Sequence, residues 1–460
     1  MKIQFTRIVS LGLLPFFTAC GGDGGGSASS AATAPTTPTT PVTPTTPVTY
    51  RVGGTLAGLV STSPVTLLNS GGDALIVASD GAFTFASPVV SGGTFDVTVG
   101  VQPRGQQCVV SNGSSATITV DISNVGVVCT VLPVYAYVLN SNDSNISVFT
   151  VGSTGSLVPS ASGPVATGSH AGALAVNVVG RAAYVANFGD NTMSQFSIGT
   201  DGTLAALSPT TVGGVAEPDS VTIDPLGRYA YATNAGFNKL SRYTLGTDGR
   251  LTFVDQSTLV AQIGQESITI DPTGRFAYSA NATNGTVSQF AVDGTGGLAP
   301  LTPAAASSGS FPVSVTVDPT GHFAYVPNSA TSTIWQYAIG SDGGLSPLVP
   351  APIAGGCGPY RVIVHPSGHF AYVLNPSQNS ILQFAVASNG TLSPLSVASI
   401  SAGSLPVSLS IDPTGRFAYA TNQSDNTVSQ FSIGQDGTLA ALGTATVATG
   451  ARPVAIAVFN

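Results

Sequence analysis

Charge is what this chain has least of: only 7% of its 460 residues are Asp, Glu, Lys or Arg, against roughly 25% in an average soluble protein. The Lys and Arg present form no cluster. Nucleic-acid binding, which depends on cationic contacts to phosphate, is disfavoured. So is attachment to an anionic membrane through a polybasic face. Beyond the first twenty residues there is no sustained apolar period of 3.6 and no apolar run long enough to span a bilayer. His-x-His and Glu-x-x-His spacings are missing, as is a Gly-x-Ser-x-Gly elbow. The sequence therefore asks for neither a metal nor any other cofactor.

Gly, Ser, Thr, Ala and Val fill the space left by charge. That mixture suits short strands and turns and does not suit helices, so the expected class is all-β. Lys2 and Arg7 precede an apolar stretch from Ile8 to Ala19 and then Cys20, the layout of an export signal over residues 1–19. Phe17-Thr18-Ala19-Cys20 resembles a lipobox, which makes Cys20 the expected lipidation site. An ordinary secretory signal with an incidental Cys is the alternative. Loss of the leader takes the net charge from −8 to −10, because Lys2 and Arg7 go with it. Residues 20–49 read as a tether and stalk. Gly21 to Gly26 gives slack, and the Thr/Pro run from Thr33 to Thr49 favours extended polyproline II, reaching up to roughly 50 Å.

Residues 50–132 place apolar and β-branched residues in short runs between Gly, Asn and Asp. Ala82-Phe83-Thr84-Phe85 and Phe95-Asp96-Val97-Thr98-Val99 alternate apolar with polar. Six or seven short strands, hence a small immunoglobulin-like β-sandwich, are expected. Cys108 and Cys129 both fall in it, and an exported chain meets oxidising conditions, so they are expected to pair. A loop of that size would contribute about 3 kcal/mol. Free thiols or a metal pair are the alternatives, but the segment holds no His to complete a metal site.

Residues 133–460 are dominated by a repeat. Tyr-x-x-Asn occurs at Tyr137, Tyr184, Tyr231, Tyr278, Tyr325, Tyr372 and Tyr419, always 47 residues apart. An aromatic nine residues after the Asn and a turn glycine, Gly155 through Gly437, keep the same step. Each unit reads as four strands. Val313–Val317 alternates, Asp318-Pro319-Thr320-Gly321 turns, and two more strands and a looser fourth follow. Seven such units make a seven-bladed β-propeller. The first unit lacks its own innermost strand, and Arg452-Pro453-Val454-Ala455-Ile456-Ala457-Val458 supplies that pattern at the right phase. The C-terminus is thus expected to complete the first blade and remove an open sheet edge.

Residues repeated in every unit are scaffold. The Tyr and Phe ladders pack between blades, and Asp224, Asp271, Asp318 and Asp412 hold turns. His322 and His369 stand where other units have Arg, and His365 stands where others have the turn Asp; all three read as surface or turn residues. The exceptions lie in the segments leading into each innermost strand, at the channel mouth. There the chain places His170, Glu217 with Asp219, Gln265 with Glu266, Tyr360 with Arg361, and Arg452. Cys357 lies beside this ring. Glu217 and Glu266 are the only glutamates in the protein. In a chain this poor in charge, their gathering with His and Arg marks a candidate site; charges that merely solvate a loop rim are the competing explanation. Asp143, Asp190, Lys239 and Asp425 are expected on the same face.

The Asp-Pro-x-Gly-Arg-Phe-Ala-Tyr-x-x-Asn core of these units resembles the seven-bladed lactonase family, which includes 6-phosphogluconolactonases and YVTN-repeat surface proteins. The resemblance covers 134–460 and implies a polar pocket at one mouth of the channel. It also implies lactone chemistry, in which Glu217, Glu266 or His170 activates water and Arg361 and Arg452 stabilise the oxyanion. Asp219, Gln265 and Tyr360 are the candidate ligand-binding residues. Two functions are carried forward. The first is a monomeric lipoprotein of the outer membrane, cell surface or periplasm, displaying the propeller to bind a small polar ligand, a polymer or an envelope protein. The second is an exported hydrolase opening a sugar lactone or similar ester, with the membrane met only through the lipid anchor.

Overall fold

The structure is a computed structural model. It describes residues 47–460 apart from 61–63, 116, 235–238 and 259–264, with backbone alone at 257, 258, 265 and 266. The leader, Cys20 and the Thr/Pro run to residue 46 lie outside the described residues. The described fold lies in a unit spanning Val48–Asn460.

Alternation decides the first part. Val65–Asn69 buries every second side chain, as does the start of Phe95–Val101, which is the period-two pattern of a strand with one face inward. One four-stranded sheet takes the order Gly81–Thr84, Val52–Ala57, Ile122–Val131, Gln106–Ser111. The other takes Asp73–Val77, Val65–Asn69, Phe95–Val101, Ser114–Ser115. Their inner faces share one core containing Val52, Leu67, Phe85, Phe95 and Val127, so the sandwich is present. Seven of its strands are four residues or longer, and three more are only two residues long, too short to leave an alternation in the sequence. Cys108 and Cys129 face each other on neighbouring antiparallel strands and form the expected disulfide.

From Tyr135 onward the chain forms seven further sheets. The second blade is typical: Ala171–Asn177, Ala182–Asn187, Thr192–Ile198 and Leu204–Val212 pair antiparallel in chain order. Its Tyr-bearing strand, Ala182–Asn187, is buried throughout. Neighbouring blades cover both of its faces, which is why Ala-Ala-Tyr-Val-Ala runs apolar without alternation. The first blade takes its innermost strand from the C-terminus: Pro453–Phe459 pairs with Tyr135–Asn140. Each innermost strand touches the next around the ring, and Pro453–Phe459 touches Ala171–Asn177, so the ring closes.

Hydrogen bonds repeat with the same step. Each Tyr of the Tyr-x-x-Asn motif donates its hydroxyl to the turn glycine carbonyl of the next blade, from Tyr137 to Gly202 at 2.7 Å through Tyr372 to Gly437 at 2.7 Å. Tyr419 returns to Gly155 of the first blade at 2.6 Å. Burial pushes these phenols up, Tyr184 to about 12, so they remain donors. The turn glycines have positive φ, and each of six lies against an aromatic ring, as Gly155 does against Phe417. The turn aspartates act as expected: Asp318 Oδ1 accepts the N–H groups of His322 and Phe323 at 2.9 and 2.8 Å.

Two blades depart from the pattern. In the first and fifth, the outermost strand is split into short pieces, Leu157–Pro159 with Val165–Ala166 and Leu345–Pro347 with Ile353–Ala354. Pro164 and Pro352 stand at one repeat position there, which the unsplit blades fill with Thr, Ala or Ser, and each removes a ladder donor. The fifth innermost strand is shorter than expected, Thr316–Val317 plus a bridge between Pro312 and Asn328.

Candidate functional site

The segments leading into the innermost strands share a backbone feature. His170, Glu217, Phe311, Leu405 and Arg452 all have φ between 47° and 59°, and Gly358 takes φ 65° at the equivalent position. Left-handed backbone costs a non-glycine residue roughly 1–2 kcal/mol, so something must hold it. At three of these positions an Asn side chain from the preceding blade does so. Asn191 Oδ1 accepts the N–H of Glu217 at 2.6 Å, Asn379 that of Leu405 at 2.9 Å, and Asn426 that of Arg452 at 2.8 Å. Three of the charges expected on this face have similar work. Asp190, Asp425 and Asp143 accept the N–H groups of Ser169, Ser404 and Ala451 at 2.6–2.7 Å. Those bonds hold the Asp190 and Asp425 carboxyls below their ordinary range, the Ser169 and Ser404 contacts being the cause.

These clamped segments surround a cavity of about 350 Å³ at the channel mouth. His170, Asp219, Tyr360, Arg361 and Arg452 all line it. Burial pushes the Asp219 carboxyl above the ordinary range, while the Arg361 guanidinium opposes that shift. Arg361 also lies over the Tyr360 ring, 5.7 Å from its centroid. Gly172 leaves the space beside Asp219 open, since a Cβ there would approach the Asp219 carbonyl and carboxylate at 3.3 and 3.6 Å. Among the described residues, neither Arg361 nor Arg452 takes part in an ion pair. A half-buried carboxylate sharing a cavity with two such cations can bind a polar ligand and move a proton on it.

Glu217 is half-buried and does not line this cavity. Gln265 and Glu266 open the strand Gln265–Ile270, but their side chains lie outside the described residues. Ser141, Phe188 and Gln423 line the mouth without having been singled out from the sequence. Each directly follows the Asn of a Tyr-x-x-Asn motif. That slot varies within a constant frame, and the same signal that marked the lead-in segments was available for it. His365 is a turn residue, as expected, but a buried one. Its ring bonds Ser367 Oγ at 2.7 Å and the Gly415 carbonyl of the next blade at 2.8 Å. Cys357 is exposed and unpaired. Among the described residues no cluster of His, Cys, Asp or Glu could hold a metal ion.

The sequence profile of the family described as "Lactonase, 7-bladed beta-propeller" matches residues 133–265 and 347–457. No curated protein matches the chain. Solved structures share the propeller. A candidate 6-phosphogluconolactonase of Bacteroides fragilis has a TM-score of 0.64 at 20% identity, covering 72% of this chain and 98% of its own. A periplasmic gluconolactonase of Pseudomonas aeruginosa has 0.60 at 21%, covering 71% and 99%. A Lactobacillus plantarum protein has 0.61 at 20%, also covering 71% and 99%. At these identities the likeness speaks for the fold.

Proposed function

Since this chain belongs to the seven-bladed β-propeller lactonase family, we propose that it hydrolyses a lactone at the channel mouth. One observation carries the reading: Asp219, raised by burial, shares one small cavity with Arg361, Arg452 and His170. The Asp219 carboxylate takes a proton from water as the water oxygen adds to the lactone carbonyl. The negative charge that develops on the carbonyl oxygen is stabilised by Arg361 and Arg452. The ring C–O bond then breaks, and the leaving oxygen is protonated by Asp219 or His170. A raised carboxyl suits this role, because a general base works best with a pKa near the working pH.

In the same reading the protein is exported and anchored by lipid on Cys20, with the Thr/Pro stalk holding the propeller away from the membrane. The layout of residues 1–49 supports this. A second reading keeps the mouth as a binding site only, with the propeller displayed to a small polar ligand, a polymer or an envelope protein. Two arginines without ion-pair partners among the described residues favour it, because they suit capture of an anionic group without any chemistry.

Hydrolysis of aldonolactones by the full chain separates the two. Asp219→Asn is expected to lower kcat by about 10²–10⁴-fold with an unchanged melting temperature. In the parent, the rate should rise with pH as Asp219 loses its proton, through a limb displaced above the usual Asp value of about 3.9 and absent from the variant. Equal turnover by parent and variant would remove Asp219 from the mechanism. No turnover of any lactone leaves the binding reading.

A further inference from the structure

The mouth is not where the space ends. Behind it the innermost strands enclose a second cavity of about 430 Å³, and Gly172 and Arg361 form part of both walls. The two chambers are therefore neighbours across Arg361. Their linings differ in kind. Of the described residues around the inner chamber, Arg361 alone is charged. Ser220 with Thr222, Ser267 with Thr269, and Ser314 with Thr316 line it at matching positions of three consecutive blades. Arg361 occupies the register position that holds Ser220, Ser267, Ser314 and Ser408 in other blades. The lining is thus a hydroxyl-bearing set with one cation at its junction with the mouth.

These hydroxyls are not used up by the fold. A Ser or Thr hydroxyl offers one donor and two acceptor positions. Ser314 Oγ donates once, to the Tyr360 carbonyl at 3.2 Å, and Thr316 Oγ1 once, to Val362 at 2.6 Å. Ser220 Oγ shares one hydrogen bond with Thr233 Oγ1 at 2.7 Å and Ser408 Oγ accepts one from the Ile456 N–H at 3.2 Å, so each keeps positions for a ligand. A chamber with many neutral donors and acceptors and almost no charge suits a neutral polyhydroxylated group. It gives no support to a second anionic one.

Resting on the lactone-opening reading, we propose that the substrate is a glycosylated aldonolactone. The lactone ring is held at the mouth by Asp219, Arg361 and Arg452, and the neutral sugar extends past Arg361 into the hydroxyl-lined chamber.

The test compares glucono-δ-lactone with cellobiono-δ-lactone on the full chain, with the Ser220→Ala/Thr222→Val variant beside it. The parent is expected to show kcat/KM at least tenfold higher for the disaccharide lactone, and the variant to lose most of that preference through KM. A parent that prefers the monosaccharide lactone, or treats the two alike, overturns the proposal whatever the variant does. If neither lactone is opened, the lactonase reading fails separately, and titration calorimetry with cellobionate and gluconate then decides the chamber. Tenfold tighter binding of cellobionate sustains a sugar subsite, and equal binding rejects it.

Discussion

Asp219 and His365 are both titratable residues in positions where the repeat usually places something else, and burial moves them in opposite chemical directions. Asp219 follows Pro218 in a slot held by Val in three other blades. There, desolvation favours its neutral form and Arg361 its charged form, a balance useful to a proton carrier. His365 replaces a turn Asp. Its pKa is lowered first by burial, with His369 and Arg104 adding to the effect and the Gly415 carbonyl and Asp412 opposing it. The folded state therefore binds fewer protons at this ring than the unfolded state between the depressed pKa and the ordinary value near 6.5. By linkage the contribution to stability is present above that value and is lost as pH falls through the window. His365→Asp, which restores the residue used by the other turns, is expected to reduce the fall in melting temperature between pH 7 and pH 5. An unchanged fall would show that His365 is not the group responsible.

The repeating element is held at its edges by side chains that reach into the next blade. The Tyr-to-glycine bond is the clearest, because its seven copies allow an internal comparison. Tyr419 bonds the buried Gly155 carbonyl, whereas the hydroxyl of Tyr229, a residue outside this ladder, bonds Gly294 at an exposed position. Leaving a buried carbonyl without a donor costs roughly 1–3 kcal/mol, since water cannot replace the bond. Tyr419→Phe is therefore expected to lower the unfolding free energy by that amount in urea titrations, and Tyr229→Phe by less than about 0.5 kcal/mol. Equal losses would mean that the ladder does not join blades energetically. The Asn clamps on the left-handed lead-in residues act at the same scale. They set the direction of Glu217, Leu405 and Arg452 through the backbone, so side-chain identity alone did not reveal that Glu217 would miss the cavity.

For the whole molecule, the decisive contact is between the two ends of the repeat region. Pro453–Phe459 pairs with Tyr135–Asn140, Tyr419 reaches Gly155, and Gln430 Oε1 accepts the Leu157 N–H at 2.6 Å. Removing residues 453–460 takes away these strand pairs and leaves Tyr135–Asn140 as an open apolar edge. Such a truncated chain is expected to self-associate on size-exclusion chromatography and to lose cooperative unfolding, while the disulfide-linked sandwich keeps its fold. A monomer with an unaltered transition would show that the ring does not depend on its closing strand. The sandwich also meets the ring. Arg104 Nη1 donates to the Pro366 carbonyl at 3.3 Å, and Gly105 with φ 71° lies against Pro413 and Thr414. Nothing in the spacing of Arg104 foretold that contact, because it joins residues 262 apart with no shared pattern.

The linear order of residues was enough to determine the all-β class, the seven blades, the C-terminal strand in the first blade and the Cys108–Cys129 pair. Each of these rests on local chemistry repeated at a constant step, or on two cysteines in one small domain, and a repeat displays its geometry in its period. The sequence also placed His170, Asp219, Tyr360, Arg361 and Arg452 in one class, as exceptions within a constant frame. Only the folded ring decided that these five share a cavity while Glu217 stands outside it, that Ser141, Phe188 and Gln423 complete the wall, and that a neutral chamber lies behind Arg361. Those outcomes depend on left-handed backbone angles, on clamps from neighbouring blades and on which face of a strand looks inward. These arise from contacts between distant residues, so no local pattern in the chain encodes them.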